Sequence, residues 1–237
     1  VAVATVLVLG VAPGAFWLWY FYRRDRVEPE PRRLVLRVFL YGGLSAIPAG
    51  LVEVPFAVIT GAPLAVAVIA APVVEELAKL AVVHWTMYRH REFDEPMDGI
   101  VYAAAAALGF ATVENVLYVA TASRAAEDSA VWGHVAGVAV ARAVLSVPGH
   151  VLFSGMWGYA LGVARFSGPA KGRRLVRNGV FAAISLHAVF NALAATRIVA
   201  ALGLLALIAG AWRAMNRRIR AALERSPHTG SERDGQR

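Results

Sequence analysis

The sequence predicts an all-α, polytopic transmembrane helix bundle of about seven crossings, with an interfacial or re-entrant helix at residues 131–146. Three observations predict it. The chain is 58% hydrophobic and 17% charged, with a mean hydropathy of +0.56. A water-soluble domain of this size carries charge on about a quarter of its residues. The few charges sit in short segments between long uncharged tracts, and alternate segments are basic.

Taken in order, Val1–Tyr22 meets the roughly 20 apolar residues a crossing requires. An aromatic cluster from Phe16 to Tyr22 stands at its exit, where an interfacial belt would lie. No small-residue processing site follows, so this tract is expected to stay as a membrane helix rather than a cleaved signal. Residues 23–33 form a hydrophilic, Arg-rich linker. Leu34 to about Val58 is the second crossing, expected to bend or break near Pro48 and Pro55. Pro63 to about Met87 is the third, followed by a charged loop at 88–98. Gly99 to about Ala122 is the fourth, followed by a polar loop at 123–130. Residues 131–166 would make a straight helix of about 54 Å, too long for a simple crossing. Pro148–Gly149 is the expected break, with 149–166 as the fifth crossing. After a basic loop at 167–177, Val176–Thr196 is the sixth crossing and Val199–Trp212 a short seventh. The membrane domain is thus expected over 1–216, with a disordered basic tail over 217–237.

Basic residues test this order. Lys and Arg number six in 23–37, five in 165–177 and five in 213–225. Arg89 and Arg91 add to the loop between the third and fourth crossings. Under the positive-inside rule these segments face the cytoplasm. The N-terminus is then outside, the C-terminus is cytoplasmic, and 131–166 makes one net crossing of the plasma membrane. The net charge of +8 therefore reads as membrane orientation and not as affinity for nucleic acid. With no cysteine in the chain, a thiolate nucleophile is excluded, and any metal must be held by His, Asp or Glu.

Ionisable residues inside apolar tracts are costly and mark function. Here they are Glu75, Glu76, Lys79, Glu114, Arg142, His150 and His187, with Asn115 and Asn191 beside them. Counted from the basic end of each helix, Glu75 and Glu76 lie roughly 18 Å deep, Glu114 and His150 roughly 22 Å, and His187 roughly 15 Å. Four tracts thus bring acids or imidazoles to a similar depth. Glu75 and Lys79 are four apart and share a face, so the lysine can neutralise a carboxylate. Glu76 lies about 100° round the helix and is expected to face a different partner. One glutamate can then meet a reacting water while the other supports. Asn191 shares a face with His187, and could orient the imidazole or a substrate carbonyl. Arg142 is expected to neutralise Glu114. Glu53, His84 and His134 lie near helix ends and read as interfacial. Glu114, His150 and His187 have the ligand types of a catalytic zinc site, leaving Glu75 or Glu76 to activate water. Without metal, a glutamate base and an oxyanion-stabilising histidine would suffice. A proton or ion relay uses the same residue types, and a buried Glu–Lys pair can also serve only to hold helices together.

Four blocks carry a resemblance: APVVEELAK (71–79), DGIVYAAAAALGFATVENVLY (98–118), PGHVLFSGMWGYALG (148–162) and HAVFN (187–191). In this order they resemble the PrsW family of intramembrane proteases, which is distantly similar to the membrane CAAX-processing proteases. The resemblant core is 71–191. The sequence departs where glycines common after the tyrosine of the second block are replaced by Ala103–Ala107, a change to helix packing more than to chemistry. The resemblance implies hydrolysis of a peptide bond within the membrane, with a single-pass membrane anti-sigma factor as substrate in the best-known members. It carries the catalytic roles to Glu75, Glu76, Glu114, His150 and His187. Lys79, Asn115, Asn191 and Arg142 are read as supports, and Zn²⁺ as the metal. The alternatives are an ion- or proton-coupled transporter and a structural or immunity-type membrane protein.

Overall fold

A computed structural model of the chain describes residues 3–124, 131–196 and 199–230. Among them the chain is helical, with no strand. The helices are α1 (Val3–Tyr22), α2 (Arg32–Thr60), α3 (residues 63–86), α4 (Pro96–Arg124), α5 (residues 131–165), α6 (Pro169–Ala195) and α7 (Val199–Leu223), followed by a 3₁₀ turn at Pro227–Gly230. Five helices, namely α1, α2, α4, α5 and α6, are long and apolar enough to cross a membrane. Large apolar side chains such as Trp85, Ile59 and Phe181 point outward, more than 70% exposed. In lipid such a surface carries no penalty.

Three boundaries differ from the sequence expectation. Helix α5 does not break at Pro148–Gly149: it runs unbroken through 131–165, and 131–146 is its first half, not a separate re-entrant helix. A π-helical turn at Arg142–Ser146 lies directly ahead of the proline. Proline lacks an N–H and its ring crowds the preceding turn, and the wider turn accommodates both. Helix α6 starts at Pro169, inside the expected basic loop. Helix α7 continues to Leu223, so residues 217–223 are its last turns and not the start of a disordered tail. Apolar residues there recur at Ala211, Met215, Ile219 and Ala222, all buried, and this spacing of three or four makes one helix face. Helix α2 likewise continues through Pro48 and Pro55. The part of the 123–130 loop from 125 onward, and the tail from 231, lie outside the described residues.

Helix α4 is the axis of the bundle. Its residues from Met97 to Ala111 are all buried, the Ala103–Ala107 run among them. It packs on α1, α2, α3 and α5, and against α2 and α5 backbone meets backbone. A Cβ on Gly99 would stand 2.2 Å from the Gly158 carbonyl oxygen of α5, and one on Gly162 would stand 2.3 Å from the Pro96 carbonyl oxygen. On the other side a Cβ on Gly109 would meet the Phe39 carbonyl oxygen of α2 at 1.8 Å. Apolar burial gives little drive where lipid is the solvent, so close approach and dispersion have to supply it.

Gly99→Ala should therefore cost about 1–3 kcal/mol or more through overpacking. Gly137→Ala, where nothing lies within 4 Å of the added carbon, should be neutral or stabilise by up to about 1 kcal/mol. Thermal unfolding in detergent would check both. Equal melting temperatures for the two variants would count against backbone-to-backbone packing of α4 and α5.

Candidate active site

The expected residues meet between four helices. Helix α3 supplies Glu75, Glu76 and Lys79; α4 supplies Glu114; α5 supplies Arg142 and His150; and α6 supplies His187. Two of these helices carry the same local device ahead of the site. In α3 a π turn at Val66–Ala70 precedes Pro72, and Glu75 follows three residues later. In α5 the π turn at Arg142–Ser146 precedes Pro148, and His150 follows two residues later. Each π turn frees backbone that other groups then satisfy. Asn191 does this for α3: its side-chain N–H₂ donates to the Ala67 carbonyl at 2.8 Å, and this is the bond it makes in place of one to His187.

Glu76 is wholly buried and its carboxylate is saturated. Oε1 accepts from the Lys79 ammonium at 2.9 Å and from His187 Nδ1 at 3.1 Å. Oε2 accepts from the Ser154 hydroxyl at 2.7 Å and from the Trp157 indole at 2.9 Å. Sequence reasoning missed Ser154 and Trp157. The available signal was spacing, since both lie on the His150 face of α5, four and seven residues on.

Glu75 is held more loosely. Its Oε2 lies 3.2 Å from Lys79 Nζ, 3.9 Å from His150 Nδ1 and 3.8 Å from His187 Nε2. Glu75 and Glu76 thus share Lys79 and His187, although separate partners were expected. A 100° offset is small enough for long side chains to converge on groups lying between them. Lys79 is fully buried, and its ammonium also sits 4.4 Å from the centre of the Phe110 ring, a cation–π contact.

Hydrogen-bond partners set the two histidines' tautomers. An ammonium only donates, so His150 Nδ1, 3.0 Å from Lys79 Nζ, accepts. Its Nε2 then carries the proton and donates to Glu114 Oε2 at 3.0 Å. His187 donates from Nδ1 to Glu76, which leaves the Nε2 lone pair facing Glu75. Each histidine therefore turns one nitrogen toward Glu75 and has the other fixed by a second glutamate. That pattern of carboxylate support is common behind metal-ligating histidines.

The donor set that could hold a metal ion is Glu75, His150 and His187, one donor atom from each lying within 4.8 Å of the others. This differs from the expected grouping, because Glu114 lies behind His150, bonded to the nitrogen that faces away from Glu75. Two nitrogens and one oxygen are the ligand set of many catalytic zinc sites. Donors on a tetrahedral zinc lie about 3.3 Å apart, from bonds of about 2.0–2.1 Å. The separations from Glu75 would thus close by about half an ångström on such an ion, and the Lys79 ammonium would have to leave His150 Nδ1.

A cavity of about 650 Å³ reaches the site from the end of the bundle opposite the Arg-rich linker. Glu75, Glu114, Arg142, His150 and His187 all line it, and Glu76 does not. Arg142 Nη2 lies 3.4 Å from Glu114 Oε2, as expected for a neutralising pair, and its guanidinium sits 4.0 Å from the centre of the Tyr118 ring. Asn115 is turned away from the cavity. Its amide donates to the Leu9 and Gly10 carbonyls of α1 and its oxygen accepts from Arg142 at 3.0 Å. Glu53, read from sequence as interfacial, lines the cavity as well, and its buried Oε1 has no hydrogen bond among the described residues.

Comparison with known proteins shows the family. The sequence profile of the PrsW family of intramembrane metalloproteases matches residues 30–214. Protease PrsW of Geobacillus kaustophilus is 41% identical over 165 residues, covering 69% of this chain and 68% of that protein. Protease PrsW of Bacillus subtilis is 35% identical over 164 residues, 68% and 70% of the two chains. Protease PrsW of Clostridioides difficile is 30% identical over 192 residues, 78% and 77%. No solved structure matches the chain. A match over more than three quarters of the sequence, with all four site-bearing helices inside it, establishes that the chain belongs to the PrsW family of intramembrane metalloproteases.

Proposed function

We propose that this chain hydrolyses a peptide bond of a transmembrane protein substrate, a single-pass anti-sigma factor being the expected class, at the cavity that ends on Glu75. The observation that carries the proposal is the convergence of Glu75 with both histidines on the floor of that cavity. A substrate helix has its carbonyls engaged in internal hydrogen bonds, so it must unwind locally before attack. A wall that mixes apolar residues with Asn191, Glu53 and Arg142 suits an unwound segment. The buried stretch Ala103–Ala111 of α4 supports a protease over a transporter, because it carries no polar side chain between the cavity and the opposite end of the bundle. The positive-inside rule gives the proposed orientation, with the Arg-rich ends cytoplasmic and the cavity opening toward the outer half of the membrane.

In this reading Glu75, His150 and His187 hold zinc, which when bound lowers the pKa of water and polarises the scissile carbonyl. Glu114, the cavity carboxylate bonded to His150, takes the proton from the attacking water and returns it to the leaving amine. Its hydrogen bond from His150 and its pairing with Arg142 fix its position. Arg142 faces the cavity and stabilises negative charge on the carbonyl oxygen. Glu76 and Lys79 are supports: Glu76 orients His187, and Lys79 balances the glutamate pair.

A second reading has one specific observation in its favour, the Lys79 ammonium on His150 Nδ1. With the lysine there, Glu75 is the base. Its Oε1 has no hydrogen bond among the described residues and accepts the proton directly, without metal.

The two readings separate experimentally. Under the first, detergent-purified protein carries about one zinc per chain; Glu75→Ala and His187→Ala lose the zinc, whereas Glu114→Gln keeps it and loses about 10²–10⁴-fold in cleavage rate, the usual weight of a general base. Active protein without metal, inactivated by Glu75→Gln, would sink the first reading and establish the second. Intact cleavage in both Glu75→Ala and Glu114→Gln would end both.

Glu76→Gln should act differently. It weakens a fully buried ion pair and leaves Lys79 undercompensated, at a cost of about 3–5 kcal/mol. Its melting temperature should therefore fall further than that of Glu75→Gln, and adding Lys79→Met should recover part of the loss. A Glu76→Gln variant as stable as the parent would argue against the supporting role.

A further inference from the structure

A second cluster of carboxylates lies at the other end of the bundle. Asp25 from the linker after α1, Glu95 from the loop before α4 and Asp98 from the first turn of α4 are all buried, at 3%, 0% and 1% exposure. One oxygen from each lies within 4.8 Å of the others. Buried Glu30 completes the group, its carboxyl in contact with that of Asp98 and accepting from the Tyr102 hydroxyl. Asp98 and Glu114 are 16 residues apart on one helix, about 24 Å along the axis, so the cluster is separate from the active site.

Ordinary helix capping explains only part of it. Asp98 Oδ2 accepts from the Asp94 and Glu95 backbone N–H groups, both at 2.7 Å, as an acid in the first turn does. Nothing comparable holds Asp25 and Glu95. All four of their carboxylate oxygens are inaccessible to solvent and none makes a hydrogen bond of normal geometry; Ser226 beside Glu95 and the Glu30 backbone beside Asp25 are the polar groups near them. Among the described residues, no lysine or arginine forms an ion pair with Asp25, Glu30, Glu95 or Asp98, although this end of the bundle is rich in arginine. Arg24, the neighbour of Asp25, reaches Tyr20 and Asn216 instead.

Buried carboxylates without a cation are unstable as anions. They must take up protons or a metal ion. An all-oxygen donor set selects hard divalent cations over zinc or copper. Calcium takes its oxygens at about 2.3–2.6 Å, a sphere about 5 Å across, and three oxygens within 4.8 Å of one another fit on it.

The geometry points to a binding site for a hard divalent cation of calcium's size, held by Asp25, Glu95 and Asp98 with Glu30 beside them. The ion would join the linker after α1 to the start of the central helix. A second contact closes the same region: His228 Nε2 lies 3.1 Å from Glu28 and 3.3 Å from Asp94, bringing the segment after α7 against both.

Manganese is the probe, because it is paramagnetic and takes the same ligands. Full-length protein in detergent should bind one Mn²⁺ saturably by electron paramagnetic resonance, and Ca²⁺ should displace it. Asp25→Asn with Glu95→Gln should abolish binding, while His187→Ala should leave it intact. If the double variant does not fold, the position of the ion still decides the matter. The chain has no cysteine, so a nitroxide can be placed alone at Arg91→Cys or at Ile59→Cys. Bound Mn²⁺ should broaden the first signal and spare the second. Absence of saturable Mn²⁺ binding, binding undiminished in the double variant, or broadening confined to the Ile59 label would each overturn the proposal.

Discussion

The candidate active site rests on one buried carboxylate. Glu76 accepts hydrogen bonds from Lys79 on its own helix, from Ser154 and Trp157 on α5 and from His187 on α6. Three helices are thereby fixed to one pair of fully buried oxygens. An anion so held is stable only while all its donors stay in position, so its burial specifies the relative placement of the helices. His187 inherits its ring orientation from this bond, and with it the direction of the nitrogen that faces Glu75.

Around that anchor, the loosely held groups are those that meet the cavity. Glu75 has one close partner, and Glu114 is supported by His150 and Arg142 while still facing the open space. This contrast between a saturated glutamate and a nearly free neighbour assigns the supporting and reacting roles in the proposed chemistry. The paired π turns and prolines belong to the same design. An unbroken α-helix would carry the next turn's backbone and side chains in regular register into the site. A π turn ahead of Pro72 and another ahead of Pro148 reset that register just before Glu75 and His150.

The bundle that holds this site is built with little hydrophobic drive between helices. Glycine and alanine bring α4 within backbone contact of its neighbours, and the alanines at 103–107 lie in the most buried part of it. Their small volume keeps α4 central, with polar residues gathered at either end of the run. The acidic cluster at the opposite end shows the same logic with different chemistry.

Much of this was legible in the chain alone. Apolar tracts and basic segments gave the helices, because a bilayer admits only backbone that bonds to itself. Residue type and depth gave the candidate site, because lone ionisable groups in lipid are costly. Glu75, Glu76, Lys79, Glu114, Arg142, His150 and His187 were all found that way, and all come together. Their grouping was not legible. Whether Glu75 or Glu114 joins the two histidines depends on rotamers and helix rotation that no spacing within one helix can give. Glu53 looked interfacial because its distance from a cavity on other helices is invisible in its own. Local sequence determined which groups enter the membrane; only packing between helices decided which of their atoms face each other, since that contact is made across segments far apart in the chain.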